Sequence, residues 1–225
     1  MSVEARKEQA AREAVALIGE GMAVGLGTGS TATFAVRAIG ERVAAGLRIV
    51  GVPTSRQTEE LARSLSIPLA ELDDVDRLDL TIDGADEIDL ATLDVIKGYG
   101  GALLREKLVA LATVRQVIVA DDAKVSDSGL TKVVPVEVVS FGMRHTAQAL
   151  EKLGGRAVLR VRDGAPVVTD GGNRILDCDF GPLVAPAGLA AAIKALPGVV
   201  EHGLFIGLVH TVIIAGADEV RTYQR

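Results

Sequence analysis

The stretch Met22-Ala-Val-Gly-Leu-Gly-Thr-Gly-Ser-Thr31 decides the fold class of this chain. Residues 22–26 are apolar without alternation, the pattern of a strand buried on both faces. The glycine-rich turn Gly25-Leu-Gly-Thr-Gly-Ser-Thr31 follows at once. Residues 31–44 then show helical spacing through Phe34, Ile39 and Val43. A strand, a glycine turn and a helix in that order make a cradle for an anion. Small residues let backbone N–H groups approach, the helix N-terminus favours negative charge, and Ser30 and Thr31 add hydroxyl donors. A tight turn in which Ser or Thr only caps the helix is the plain alternative. Two nucleotide cradles do not fit. The dinucleotide fingerprint needs glycine where Ser30 stands and an acidic residue where Val52-Pro53-Thr54 ends the next strand. A P-loop would need Gly-Lys followed by Ser or Thr.

The same alternation extends outward on both sides. Residues 3–18 are an amphipathic helix with Ala10, Ala14, Leu17 and Ile18 on one face, and residues 48–52 are a strand that stops at Pro53. A helix at 57–64, a strand at 78–82, a helix at 102–112 and a strand at 116–120 follow. This predicts an α/β fold, a Rossmann-like, mostly parallel sheet with helices on both faces. After residue 130 the order changes to strand 133–139, helix 143–153, strands 157–161 and 167–169 around Asp163-Gly164, strand 175–177, helix 189–196 and strand 199–202. That is the β-α-β-β-α-β order of a smaller ferredoxin-like α+β domain. The apolar strand 211–215 is expected to return to the first sheet. The expected division is therefore an α/β catalytic domain of residues 1–130, with the return of about 203–225, and a ferredoxin-like domain of residues 131–202.

Composition excludes several functions. The 225 residues carry 24 Lys plus Arg against 30 Asp plus Glu, a net charge of −6, so no basic field invites nucleic acid. Aromatic residues are 3% with no Trp, which leaves no base-stacking surface and implies an aliphatic core. A lone Cys178 excludes an internal disulfide and a Cys-based zinc site, and reads as a small buried hydrophobe. The longest apolar stretch, residues 203–217, is broken by His210 and Thr211 and is too short for a bilayer, and no signal sequence opens the chain. A cytoplasmic location, with no membrane or nucleic-acid partner, is expected.

Chemistry gathers at the predicted strand ends. Asp83-Gly-Ala-Asp86-Glu87 follows the strand 78–82 and so lies at the C-terminal edge of the sheet, where open α/β sheets bind ligands. A solvated acidic loop and a Mg²⁺ or Ca²⁺ site are the other readings. Lys97-Gly-Tyr-Gly-Gly101 is a second glycine-rich loop, opening a helix whose apolar stripe reads as Leu103, Leu104, Leu108 and Leu111. On it, Arg105-Glu106-Lys107 is either surface charge or the setting of a general base, Glu106. Lys124 follows the strand 116–120. Of the 3 histidines, His145 is expected to face solvent and His210 to be a satisfied core residue, and none has metal-ligand spacing. This inventory suits a small phosphorylated, polyhydroxylated substrate.

Three ordered motifs, Gly25-Leu-Gly-Thr-Gly-Ser-Thr-Ala32, Thr81-Ile-Asp-Gly-Ala-Asp-Glu87 and Lys97-Gly-Tyr-Gly-Gly-Ala-Leu-Leu-Arg-Glu-Lys107, closely resemble those of the ribose-5-phosphate isomerase A family. Gly51-Val-Pro-Thr-Ser55, Pro135-Val-Glu-Val138, Thr169-Asp-Gly-Gly-Asn173 and Gly198-Val-Val-Glu-His-Gly-Leu-Phe205 extend the resemblance over essentially the whole chain. It implies interconversion of ribose 5-phosphate and ribulose 5-phosphate in the pentose phosphate pathway, with no metal or organic cofactor, by a homodimer or homotetramer. Carried over by motif, Glu106 is the proton acceptor and donor; sugar phosphates rest mostly as rings, and Asp83 is the group expected to help open them. Thr28, Gly29, Ser30, Thr31, Asp83, Gly84, Ala85, Asp86, Lys97, Gly98, Tyr99, Gly100 and Lys124 bind substrate. Tyr99 departs from the family, where a smaller residue often stands. A noncatalytic sugar-phosphate sensor, an acyl-CoA transferase-like enzyme and a metal-dependent aldose isomerase are the rival readings.

Overall fold

A computed structural model describes residues 2–217 and 219–225. Met1 and Asp218, which fall inside the expected spans 1–130 and 203–225, lie outside them. The chain divides into two compact units. Unit 1 contains residues 1–85, 105–125 and 208–225, and unit 2 contains residues 86–104 and 126–207.

Unit 1 is built on a six-stranded sheet in the order Val220–Gln224, Thr211–Ala215, Thr113–Asp121, Leu78–Asp83, Ala23–Leu26 and Val50–Pro53. All neighbours pair in parallel except the first two, which pair antiparallel. The strand Thr211–Ala215 therefore returns to this sheet as expected. The edge strand after it carries Arg221, Thr222 and Gln224 outward, without the apolar run that marks a buried strand. Pro53 is the last residue of the other edge strand and pairs with Leu26 rather than ending the strand before it. An edge position tolerates the missing N–H.

Helices α1 (Val3–Val15), α2 (Ser30–Ala44) and α3 (Arg56–Ser64) belong to this unit. Ser2 caps α1 through its side chain, and the helix buries Ala10, Ala11, Ala14 and Val15. Small alanines let it lie close to α2, and the two share a core with Val24, Leu26, Ile39, Val117 and Ile213. Helix α4 (Leu103–Leu111) begins in unit 2 and continues into unit 1.

Unit 2 holds an antiparallel sheet in the order Val199–His202, Val134–Val138, Arg174–Asp179 and Arg156–Leu159, with helices α5 (Met143–Lys152) and α6 (Pro186–Lys194). That is the ferredoxin-like order, with an aliphatic core of Val134, Val136, Val138, Leu150, Leu176, Cys178 and Ile193. The expected strand 167–169 does not form. Val161–Arg162 pairs instead with Ala165–Pro166 across Asp163 and Gly164, both at positive φ, 53° and 79°. Thr169 is drawn into a turn in which its N–H donates to the Asn173 carbonyl. Three strands that carry no periodic signal because they are too short, Glu87–Asp89, Asp94–Ile96 and Leu204–Phe205, pair antiparallel in succession. Among the described residues no helix is long and apolar enough to cross a membrane.

Candidate active site

In unit 1 the sheet order sets the site. The strands ending at Asp121, Asp83, Leu26 and Pro53 are consecutive neighbours and parallel. Their C-terminal ends therefore bring Lys124, Asp83, the 27–31 turn and Thr54-Ser55 to one edge. Gly27 donates its N–H to the Ile82 carbonyl at 2.9 Å, and Thr28 donates its N–H to Asp83 Oδ1 at 3.1 Å. The same oxygen accepts from Gly84 N at 2.8 Å. Asp83 is fully buried, and one of its carboxylate oxygens accepts from both backbone amides. This approach requires glycine at position 27, where a Cβ would stand 2.4 Å from Asp83 Oδ1.

Beyond Thr28 the turn emerges to the surface. Gly29 and Ser30 are exposed, Thr31 is buried, and Gly29 N-caps α2 with no side-chain cap on the helix. Helix α2 begins at this turn, and the first amides of a helix have no intrahelical acceptor. Lys7 of α1 donates from Nζ to Ser30 Oγ at 3.1 Å and places an ammonium beside this turn. Lys124 closes a 3₁₀ turn, Asp122–Lys124, directly after its strand, and is half-buried.

Glu106 lies on α4. The helix ends beside the start of the strand Leu78–Asp83, where Leu78 N donates to the Ala112 carbonyl at 2.9 Å. Glu106 is 4% exposed and Lys107 6%, whereas Leu108 is 48% exposed and Leu111 63%. The surface-charge reading of this run is therefore corrected, and so is the leucine stripe. Positions 103, 106, 107 and 110 share one helical face by i, i+3, i+4, i+7 spacing, and that face is the buried one.

In unit 2 the second glycine loop is held at several points. Lys97 is 2% exposed, its Nζ 5.7 Å from the centre of the Phe205 ring, a cation–π arrangement. Gly98 has φ +109°, and a Cβ there would meet Leu103 at 2.9 Å. Tyr99 N donates to Asp86 Oδ2 at 2.9 Å, while Tyr99 OH donates to the Val133 carbonyl at 3.1 Å. Burial first, then the charge of Asp86, pushes the Tyr99 phenol up to about 12. Arg160 donates from Nη1 to the carbonyls of Gly98 at 2.6 Å and Tyr99 at 3.2 Å, and pairs through Nε and Nη2 with Asp177. Asp86 also accepts at its carbonyl from Lys132 Nζ at 2.9 Å. Glu87 is 2% exposed and accepts from Thr131 N, Thr131 Oγ1 and Lys132 N at 2.7–2.8 Å, so it pins that segment.

Comparison with known proteins settles the family. Residues 50–219 match the model of ribose 5-phosphate isomerase A (phosphoriboisomerase A). The chain is 53% identical over 225 residues to ribose-5-phosphate isomerase A of Gloeobacter violaceus, covering 99% of this chain and 98% of that one. It is 52% identical to that of Thermomicrobium roseum, covering 100% and 96%. The chain belongs to the ribose 5-phosphate isomerase A family. As a member it is an isomerase. Among solved structures, ribose 5-phosphate isomerase A of Methanocaldococcus jannaschii superposes with TM-score 0.95 at 38% identity, covering 100% of both chains. A D-ribose-5-phosphate isomerase in complex with phospho-erythronic acid superposes with TM-score 0.96 at 37% identity, covering 100% of both chains.

Within this family member, unit 1 brings Thr28, Gly29, Ser30, Thr31, Asp83, Gly84 and Lys124 to one sheet edge, with Ala85 half-buried at the end of the unit. Unit 2 brings together Asp86, Lys97, Gly98, Tyr99 and Gly100. Sequence reading missed Lys7, Thr54, Thr58 and Arg160. Lys7 sits on a helix whose sequence reads as an ordinary amphipathic one, and Arg160 is 62 residues from Gly98. For Glu106 the helical spacing from Leu103 was the available signal. His145 is exposed as expected. His210 is exposed too, not a core residue, although its Nδ1 accepts from Gln116 N at 3.1 Å.

Proposed function

We propose that this chain interconverts D-ribose 5-phosphate and D-ribulose 5-phosphate through a cis-enediolate, with Glu106 carrying the proton, as a step of the pentose phosphate pathway. The observation that most supports this reading is a buried carboxylate, Glu106, in the unit that also presents an anion cradle and a locked Asp83. A base enclosed in this way is shielded from water and oriented before substrate arrives.

The phosphate is held by the donors of Gly29, Ser30 and Thr31, with Lys7 and Lys124 supplying positive charge. Remote binding of this kind fixes the reacting carbons without touching them. Asp83 exchanges a proton with the ring and hemiacetal oxygens as the sugar opens. Glu106 then removes the proton on C2 and delivers it to C1. One base serves both because the carbons are adjacent, as one glutamate does in triosephosphate isomerase. Lys97 and the amides of Gly98 and Gly100 stabilise the charge that develops on the enediolate oxygen. Asp86 orients sugar hydroxyls.

The test is ribulose 5-phosphate formation from ribose 5-phosphate in the presence of EDTA, for wild type and Glu106→Gln. The expected result is metal-independent turnover that falls by about 10²–10⁴-fold in the variant, the usual contribution of a positioned base, with substrate binding retained. Turnover that survives the substitution removes Glu106 from the role. Wild-type binding of the sugar phosphate without turnover leaves the sensor reading.

A further inference from the structure

Thr28 lies in the turn matched to the family's substrate-binding loop, yet its N–H and its hydroxyl are both directed into the protein. Its N–H donates to Asp83 Oδ1, and its side chain lies in a cluster of four hydroxyls. Thr28 Oγ1 is 2.7 Å from Thr54 Oγ1, 2.8 Å from Ser55 Oγ and 3.0 Å from Thr58 Oγ1. Thr54 is 0% exposed, Ser55 and Thr58 5% each, and Thr28 8%, so the cluster is buried.

The Leu26 carbonyl accepts from Thr54 N at 2.9 Å and from Thr54 Oγ1 at 3.0 Å, and the Gly27 carbonyl accepts from Thr58 Oγ1 at 3.0 Å. Ser55 Oγ donates to Thr58 Oγ1 at 3.1 Å and accepts from Thr58 N at 3.1 Å, its role as N-cap of α3. Thr28 Oγ1 donates to Ser55 Oγ at 2.8 Å, and in its contacts with Thr54 Oγ1 and Thr58 Oγ1 either hydroxyl can be the donor; all three partners lie inside the cluster. Turning the Thr28 proton outward would break the 2.8 Å bond to Ser55 Oγ inside a buried cluster.

We infer that Thr28 does not touch the substrate. It is a positioning residue, the hub of a hydroxyl knot with Thr54, Ser55 and Thr58 that fixes the carbonyls of Leu26 and Gly27 and so aims the donors of Gly29, Ser30 and Thr31 at the phosphate. The knot lashes the N-terminus of α3 to the cradle and, through Thr28 N, to Asp83. This rests on the isomerase reading above and deepens it. It assigns a task to the Pro53-Thr-Ser-Arg-Gln-Thr58 segment, to which the reaction itself gives none.

A double-mutant cycle tests the assignment, with KM and kcat for ribose 5-phosphate measured for Thr28→Val, Thr58→Val and the pair, and with Thr28→Ser and Thr58→Ser as rescues. Each Val variant is expected to raise KM about tenfold, the scale of one displaced hydrogen bond, with kcat changed by less than about threefold. The pair is expected to match the worse single variant within about twofold, because both break one knot, and the Ser variants to stay near wild type. Effects that multiply to about a hundredfold in the pair would overturn the inference, since Thr28 would then act independently of Thr58. If the Val variants do not fold, a crystal of the wild-type protein soaked with inorganic phosphate decides. The expected phosphate is bonded by the donors of residues 29–31, with Thr28 Oγ1 beyond hydrogen-bond distance, and a phosphate oxygen bonded to Thr28 Oγ1 overturns the inference. Wild type that fails to isomerise ribose 5-phosphate would overturn the isomerase reading instead, and the soak would still judge the knot.

Discussion

Thr28 N donates to Asp83 Oδ1 across 3.1 Å, joining the glycine-rich turn 27–31 to the acidic loop by one backbone-to-carboxylate hydrogen bond. The two loops belong to adjacent parallel strands whose register places Leu26 beside Ile82. Position and charge at the sheet edge are therefore fixed together, and a change in one loop is felt in the other.

Gly27→Ala tests that coupling. Its new Cβ would stand 2.4 Å from Asp83 Oδ1 and 2.5 Å from both Asp83 Cα and the Ile82 carbonyl oxygen, and two of those three are backbone atoms. Overpacking against backbone that cannot yield is expected to cost about 3 kcal/mol and to depress turnover at the same time. Urea unfolding and steady-state kinetics on the same preparation check both, and an unchanged midpoint with full activity would show that the contact is not rigid.

Arg160 offers a corresponding test in unit 2. It grips the carbonyls of Gly98 and Tyr99 while Asp177 holds its other edge. Arg160→Met keeps the aliphatic stem and removes the fork, so the loop loses its anchor but not its packing. A fall in kcat of about 10–100-fold is expected, because small misplacements of catalytic donors are costly. Arg160→Lys should not restore it, since an ammonium cannot bridge two carbonyls and a carboxylate in one plane. Wild-type kcat in Arg160→Met would show that the loop is held by Tyr99 and Asp86 alone.

Cys178 gives a pH-dependent prediction. Burial, with a smaller contribution from Asp177, pushes its thiol up to about 12 from an ordinary value of 9.0. In the folded protein the group therefore stays a neutral thiol across pH 7–10, a window set by those values. In the unfolded chain it ionises near its ordinary value. A raised folded pKa means its contribution to stability is full below about 9 and is lost as pH rises toward 12. Native protein should not react with a chromogenic disulfide at pH 8, and denatured protein should release one equivalent of chromophore. Rapid reaction of the native protein would mean that the ferredoxin-like core opens locally.

Much of this was legible in the residues. The run Met22 to Thr31 specified strand, turn and helix because apolar spacing and glycine act through immediate neighbours. The order of the later elements specified the ferredoxin-like arrangement for the same reason. What was misread followed a common cause. Leu108 and Leu111 look like core residues by type, yet Leu103 sets the phase of the buried face and carries Glu106 and Lys107 inward. The strand expected at 167–169 lost to a turn closed by Thr169 and Asn173, a hydrogen bond that side-chain type does not announce. Strands of two or three residues carry too few positions for a period to show.

The sequence by itself determined the alternation of elements, the two glycine loops, the acidic strand end and the aliphatic core, since each depends on residues close together in the chain. Only the tertiary structure decided which donors of those loops face out. Thr28 lies within the substrate motif, but its N–H is taken by Asp83, 55 residues away, and its hydroxyl by Thr54, Ser55 and Thr58. Sheet order chose those partners. A hydroxyl proton goes to the acceptor that folding places nearest, and no local pattern in the chain records where that acceptor will be.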